Sequence, residues 1–93
     1  MRFRRSRSGS HKTVAVGAGS VTPIVAANGN RVSLVIQNTG GSNISYGFST
    51  AITTGTALTL GAGIAYTLEN HAGPVYATIG SGTVTVQVAE LFG

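Results

Sequence analysis

Apolar and polar residues alternate along most of this chain in short runs, each closed by glycine or asparagine. The strongest run is residues 31–38, Arg-Val-Ser-Leu-Val-Ile-Gln-Asn. Here Val32, Leu34 and Ile36 recur at period two, while Ser33, Val35 and Gln37 make the opposite face mixed. Strand side chains point alternately to the two faces, so this pattern predicts a half-buried β-strand. Asn28-Gly29-Asn30 precedes it and Asn38-Thr39-Gly40-Gly41-Ser42-Asn43 follows it. These residue types tolerate the backbone angles of tight reversals, so the strand begins and ends in turns.

The rest of the chain repeats that design. Residues 13–16 and 21–26 predict two short strands around Gly17-Ala18-Gly19-Ser20, with Pro23 inside the second. Proline has no N–H to donate to a ladder, which puts that strand at a sheet edge or at a bend. Ile44, Tyr46 and Phe48 share one face of residues 43–48, and the link back to Asn38 is short enough for a hairpin. Residues 49–56 read as a loop with Ile52 turned inward. Residues 56–60 and 64–68 flank Gly61-Ala62-Gly63, and residues 69–73 form a polar loop before Pro74. Val75, Ala77 and Ile79 then alternate with Tyr76 and Thr78. After Gly80-Ser81-Gly82, residues 83–91 place Val84, Val86 and Val88 on one face and Thr83, Thr85 and Gln87 on the other. No window longer than a turn has helical period. Seven or eight short strands at about ten-residue spacing predict an all-β fold, a small antiparallel β-sandwich or barrel.

Composition adds a division to this picture. Arg2, Arg4, Arg5, Arg7 and Lys12 all fall in residues 1–12, whereas residues 13–93 contain only Arg31, Glu69 and Glu90 as full charges. We therefore expect a basic N-terminal arm over residues 1–12 and a β-domain over residues 13–93. Charged residues make up 9% of the chain against about 25% in typical soluble domains. A surface of Ser, Thr, Gly and Asn is poorly defended against association by charge repulsion, which suits contact with other protein. With 93 residues and no cysteine, a core this small has no disulfide to support it, and oligomerisation or docking on a partner is the remaining support. No run approaches the ~20 apolar residues of a membrane helix, and no apolar segment follows the basic residues as in a secretory signal.

Chemistry finds little to use. Glu69 and His71 lie two apart in a polar loop and could share a proton or form half a metal site, but only His11 and Glu90 remain as further ligands. The pairs Gly17/Gly19, Gly61/Gly63 and Gly80/Gly82 lack the strand-to-helix context and the lysine of a phosphate-binding loop, so they read as turns. Tyr46, Phe48, Tyr66 and Tyr76 fit core or cross-strand packing better than stacking platforms. No catalytic, cofactor-binding or metal-binding residue is expected, and the chain reads as a non-enzyme. The candidate partner-binding residues are those of the arm: Arg2, Phe3, Arg4, Arg5, Arg7 and Lys12. Such arginines can neutralise phosphates or grip protein carboxylates in bidentate fashion, and composition does not choose between the two.

Four segments carry a resemblance: Val21-Thr22-Pro23; Ala26-Ala27-Asn28-Gly29-Asn30-Arg31; Leu34-Val35-Ile36-Gln37-Asn38-Thr39-Gly40; and Ile44-Ser45-Tyr46-Gly47-Phe48. It continues through Leu58-Thr59-Leu60-Gly61-Ala62-Gly63 and Pro74-Val75-Tyr76-Ala77 to the valine-threonine strand, covering residues 21–90 and leaving the arm outside. In this order they resemble small β-sandwich structural proteins of tailed bacteriophages, either capsid decoration (cement) proteins or tail-associated ones. The resemblance implies a non-enzymatic virion protein on the capsid surface, assembled in the host cytoplasm. Its partner would be the major capsid protein or another virion protein, and it would act as a homo-oligomer or symmetric array with its arm laid across neighbouring coat subunits. A tail, neck or fibre module is the alternative. Nucleic acid is the second-choice partner, and a membrane is not expected.

Overall fold

The computed structural model describes residues 8–93. They form eight β-strands: β1 (Ser8–Gly17), β2 (Thr22–Val25), β3 (Arg31–Asn38), β4 (Ile44–Gly47), β5 (Leu58–Leu60), β6 (Ala65–Glu69), β7 (Val75–Thr78) and β8 (Thr83–Phe92). No helix occurs among the described residues. The strands make two four-stranded sheets, ordered β1-β8-β3-β6 and β2-β7-β4-β5, and every ladder is antiparallel. This is the strand order of a double-sheet jelly roll, an architecture that buries two inner faces against one another. The fold is therefore the all-β antiparallel sandwich that the alternation predicts, and not a closed barrel.

Alternation maps onto the layers. Leu34 and Ile36 of β3 and Val84, Val86 and Val88 of β8 face the core and are buried. Ile24, Ile44, Tyr46, Leu60, Val75 and Ala77 meet them from the second sheet. Thr83 and Thr85, on the opposite face of β8, are exposed. Pro23 lies in β2, which is an edge strand, and the register against β7 shifts between Pro23 and Val25. Both consequences expected of that proline are present. Gly19, Gly63 and Gly82, the second members of the three glycine pairs, have φ of 85°, 75° and 75°, the left-handed backbone that favours glycine in a turn. Strand β1 begins at Ser8 and pairs with β8 from Ser8↔Phe92 to Gly17↔Thr83. The ladder thus takes in His11 and Lys12, ahead of the composition change at Thr13.

The hairpin expected between residues 31–38 and 43–48 does not form. β3 pairs with β8 and β6, whereas β4 lies in the other sheet between β7 and β5. The cause is Asn38, which is fully buried. Its Nδ2 donates to the carbonyls of Ser42 (2.7 Å) and Leu60 (3.2 Å), and its Oδ1 accepts from the Gly40 N–H (3.0 Å). These bonds turn the chain out of the first sheet and carry it across the sandwich.

Candidate partner-binding surface

Two polar residues close the ends of β3, and they define what is structural before anything can be called a site. Arg31 should face outward with Ser33 by strict alternation, but the register against β8 shifts between Arg31 and Ser33. Such an irregularity re-aims a side chain, and Arg31 is turned into the interior with its side chain fully buried. Its Nε donates to Glu90 Oε2 at 3.0 Å. Its Nη1 donates to the carbonyls of His71 (2.8 Å) and Gly73 (2.9 Å), and Nη2 donates to the carbonyl of Ala26. One guanidinium thereby ties β3 and β8 to the β2–β3 and β6–β7 connections. Only arginine's planar fork of five N–H donors can serve acceptors in so many directions.

This network absorbs the residues with chemical potential. Glu90 is the Arg31 counter-ion, Glu69 Oε1 accepts from Ser33 Oγ at 3.0 Å, and the His71 ring nitrogen lies 3.4 Å from the Pro74 carbonyl. Asn70, at φ 57°, makes the turn that separates Glu69 from His71. Glu69 and His71 are bound to different neighbours, and no cluster of three or more metal-ligating side chains occurs among the described residues.

What remains open lies at one edge of the sandwich. β1 lies over β2 and β7, and Tyr66 of β6 meets Tyr46 of β4 with ring centroids 6.1 Å apart, so β5 and β6 share the opposite edge. Phe48, Leu58, Ile64 and Tyr66 have the parity of core positions, in step with Tyr46, Leu60 and Leu68, yet are 45%, 53%, 54% and 46% exposed. They are the inner-face residues of a sandwich whose mouth is not closed. Leu58 stands opposite Tyr46 in the β4–β5 ladder, and Phe48 packs on the His71 ring at 4.7 Å. Tyr46 itself is buried, and that burial, with the Tyr66 phenol adding to it, raises its phenol above the ordinary value of 10.0.

Of the arm residues, Lys12 is exposed on β1 opposite Val88. Arg2, Phe3, Arg4, Arg5 and Arg7 lie outside the described residues. Lys12, the one arm candidate among the described residues, thus stands at the opposite edge of the first sheet from the apolar seam. Sequence reading singled out Tyr46, Phe48 and Tyr66 as aromatics but not the seam. Its sequence signal is not specific, because the run without Asp, Glu, Lys, Arg or His that contains it spans residues 32–68 and takes in most of the buried β3. A separate, shallow depression of about 340 Å³ is lined by Ser20, Val21, Ile52, Thr53, Thr78 and Ile79. Ile52, half-buried there, also reaches back against Gly47, as its inward placement in the loop predicts.

Among solved structures, the chain is similar to the stem and receptor-binding domain of the spike protein P1 from bacteriophage PM2, with a TM-score of 0.67 and 14% identity. That match covers 88% of this chain and 32% of the spike chain, so this chain spans about a third of the spike's length. It is also similar to a de novo designed double-stranded β-helix, with a TM-score of 0.60, 15% identity, and coverage of 87% of this chain and 97% of the other. At these identities the likeness concerns the fold, and it agrees with the jelly-roll strand order. No protein-family model matches the chain, and no curated protein matches it in sequence.

Proposed function

We propose that this protein is a non-enzymatic structural protein of a virion, and more particularly a capsid decoration or cement protein of a phage head. The observation that carries the reading is its surface. Arg31 and Glu90 are spent on each other inside, Glu69 is held by Ser33, and four large apolar side chains stand half exposed at one edge. Such a surface is made to be covered by protein. Many weak contacts repeated with symmetry are how a shell gains strength from a small added subunit. The partner in this reading is the major capsid protein or another virion protein, gripped by the β-domain and by the arm residues Arg2, Phe3, Arg4, Arg5, Arg7 and Lys12. A second reading, a spike or tail-associated module, is favoured by the fold likeness to the PM2 spike domain.

Immunogold labelling of purified particles separates these readings. Decoration predicts label over the whole head, and a spike or tail module predicts label at vertices or on the tail. A salt-wash series beside a DNA anisotropy titration tests the partner class. Retention on particles at moderate salt supports protein contacts. Salt-steep DNA binding together with easy stripping would replace both readings with a nucleic-acid one.

A further inference from the structure

We propose that the β5–β6 seam is a two-fold interface with a second copy of this chain, in which β6 pairs antiparallel with β6 of the copy about Thr67. This goes beyond the proposed function: it takes up the homo-oligomer expected from the sequence and rests on the open edge of β6. The geometry comes from the ladder. The Asn70 N–H donates to the Val32 carbonyl and the Asn38 N–H to the Ile64 carbonyl, both at 3.0 Å. In an antiparallel pair, hydrogen-bonded positions alternate with unbonded ones. The bonded partners of β3 are therefore Tyr66 and Leu68, and the N–H and C=O groups of Ala65, Thr67 and Glu69 point out of the open edge. Two copies meeting there about Thr67 satisfy all three residues on both sides.

That register also solves the charge problem of self-pairing. A two-fold sets Thr67 against Thr67 and Ala65 against Glu69, so the one carboxylate on β6 never faces itself. The rest of the seam, residues 44–68, contains no Asp, Glu, Lys, Arg or His. A partner bearing a charged face would lose hydration there without gaining a counter-ion, whereas a second copy is neutral in the same places. A two-fold perpendicular to the sheet keeps both cores on the same side, so Leu58 and Tyr66 of each copy close the mouth of the other. Their side chains with Phe48 and Ile64 supply on the order of 300 Å² of apolar surface per copy. The edge backbone and threonines extend this towards the roughly 800 Å² per partner of a stable interface. Natural edge strands are usually guarded by charged side chains, proline or a bulge; within Ala65–Glu69 the one such guard is Glu69, at the strand end and hydrogen-bonded to Ser33.

The test uses the full chain in solution, without particles, so that failure of the virion reading leaves it untouched. Sedimentation is expected to give a dimer. The chain has no cysteine, so Thr67→Cys introduces a single thiol. At an antiparallel hydrogen-bonded pair the Cα separation of about 5.5 Å is within disulfide reach, and mild oxidation should link nearly all chains in pairs. His11→Cys, on the free side of β1, should stay unlinked. Thr67→Pro removes an N–H that only the copy uses and should give a monomer with an unchanged β-sheet circular dichroism signal. If that variant misfolds, the cysteine pair still decides the matter. A monomeric wild type at high micromolar concentration, a trimer, or linking through His11→Cys in place of Thr67→Cys would each overturn the proposal.

Discussion

β3 and β6 are neighbours in one ladder and carry the same kind of sequence, yet they have opposite fates. Leu34 faces Leu68 and Ile36 faces Tyr66 across the register. Leu34 and Ile36 have no exposure at all, while Tyr66 is 46% exposed. Alternation sets which face of a strand a residue occupies. Burial requires in addition that strands lie on both sides and a sheet lies opposite. β3 has β8 and β6 beside it, whereas β6 has an open edge and faces a β5 of only three residues. The difference separates a position that holds the fold together from one that is available to a partner.

The largest effect should come from breaking the anchor of the buried strand. Arg31→Met leaves Glu90 and three carbonyls without their donor. Losing one partner of a buried pair costs roughly 3–5 kcal/mol, enough to unfold a domain of marginal stability. Urea denaturation should show it, and Arg31→Lys should fail to restore the midpoint because an ammonium cannot fan out to acceptors in these directions.

Next comes the comparison itself, made by substituting the two members of one cross-strand pair. Ile36→Ala should cost about 2–5 kcal/mol through cavity formation, and so should Leu34→Ala. Tyr66→Ser, measured at a dilution where the chain is monomeric, should cost less than about 1 kcal/mol. Equal midpoint shifts for Ile36→Ala and Tyr66→Ser would show that the β6 edge is covered within a single chain.

A smaller effect should appear only in alkali. The folded state raises the Tyr46 phenol above 10.0, through burial first and the Tyr66 phenol second. The folded chain therefore holds this proton more tightly than the unfolded one, and stability falls as pH rises beyond about 10. Below that pH the contribution is fully present. Tyr46→Phe should flatten the alkaline limb of a midpoint-against-pH curve.

The smallest change in stability, within about 0.5 kcal/mol, is expected from removing residues 1–7, because the ladder from Ser8↔Phe92 onward stays whole. Particle attachment should weaken all the same. Removing residues 1–12 also takes five paired residues of β1 and should lower the midpoint visibly.

The fold class, the turns and most of the core were legible because they follow from period two and from glycine or asparagine punctuation. Val84, Val86 and Val88 are buried and Thr83 and Thr85 exposed, as alternation requires. The sheet order was not legible, because nothing local to residues 38–43 says that Asn38 will be buried and will bind Ser42 and Leu60 across the sandwich. Arg31 escaped for a related reason. Its phase is reversed by a register shift against β8, a strand more than fifty residues away, whereas the pattern of residues 31–38 alone turns it to solvent. The seam was half legible. Its aromatics and its lack of charge stand in the sequence, but that β5 and β6 both end their sheets is a fact of topology.

The place of β8 governs how the molecule comes into being. β8 lies between β1 and β3 and pairs with both along most of its length. Thr13 bonds to Gln87, 74 residues further on. A chain emerging from the ribosome therefore makes seven strands before the first sheet acquires its middle, and β1 has no mate until β8 appears. Closing such distant pairings is slow, on the order of milliseconds to seconds for sandwiches of this kind. For that interval β1 and β3 present unpaired edges with a vacancy one strand wide between them. A peptide mimicking residues 83–92 would compete for that vacancy during refolding and should be powerless against the finished protein.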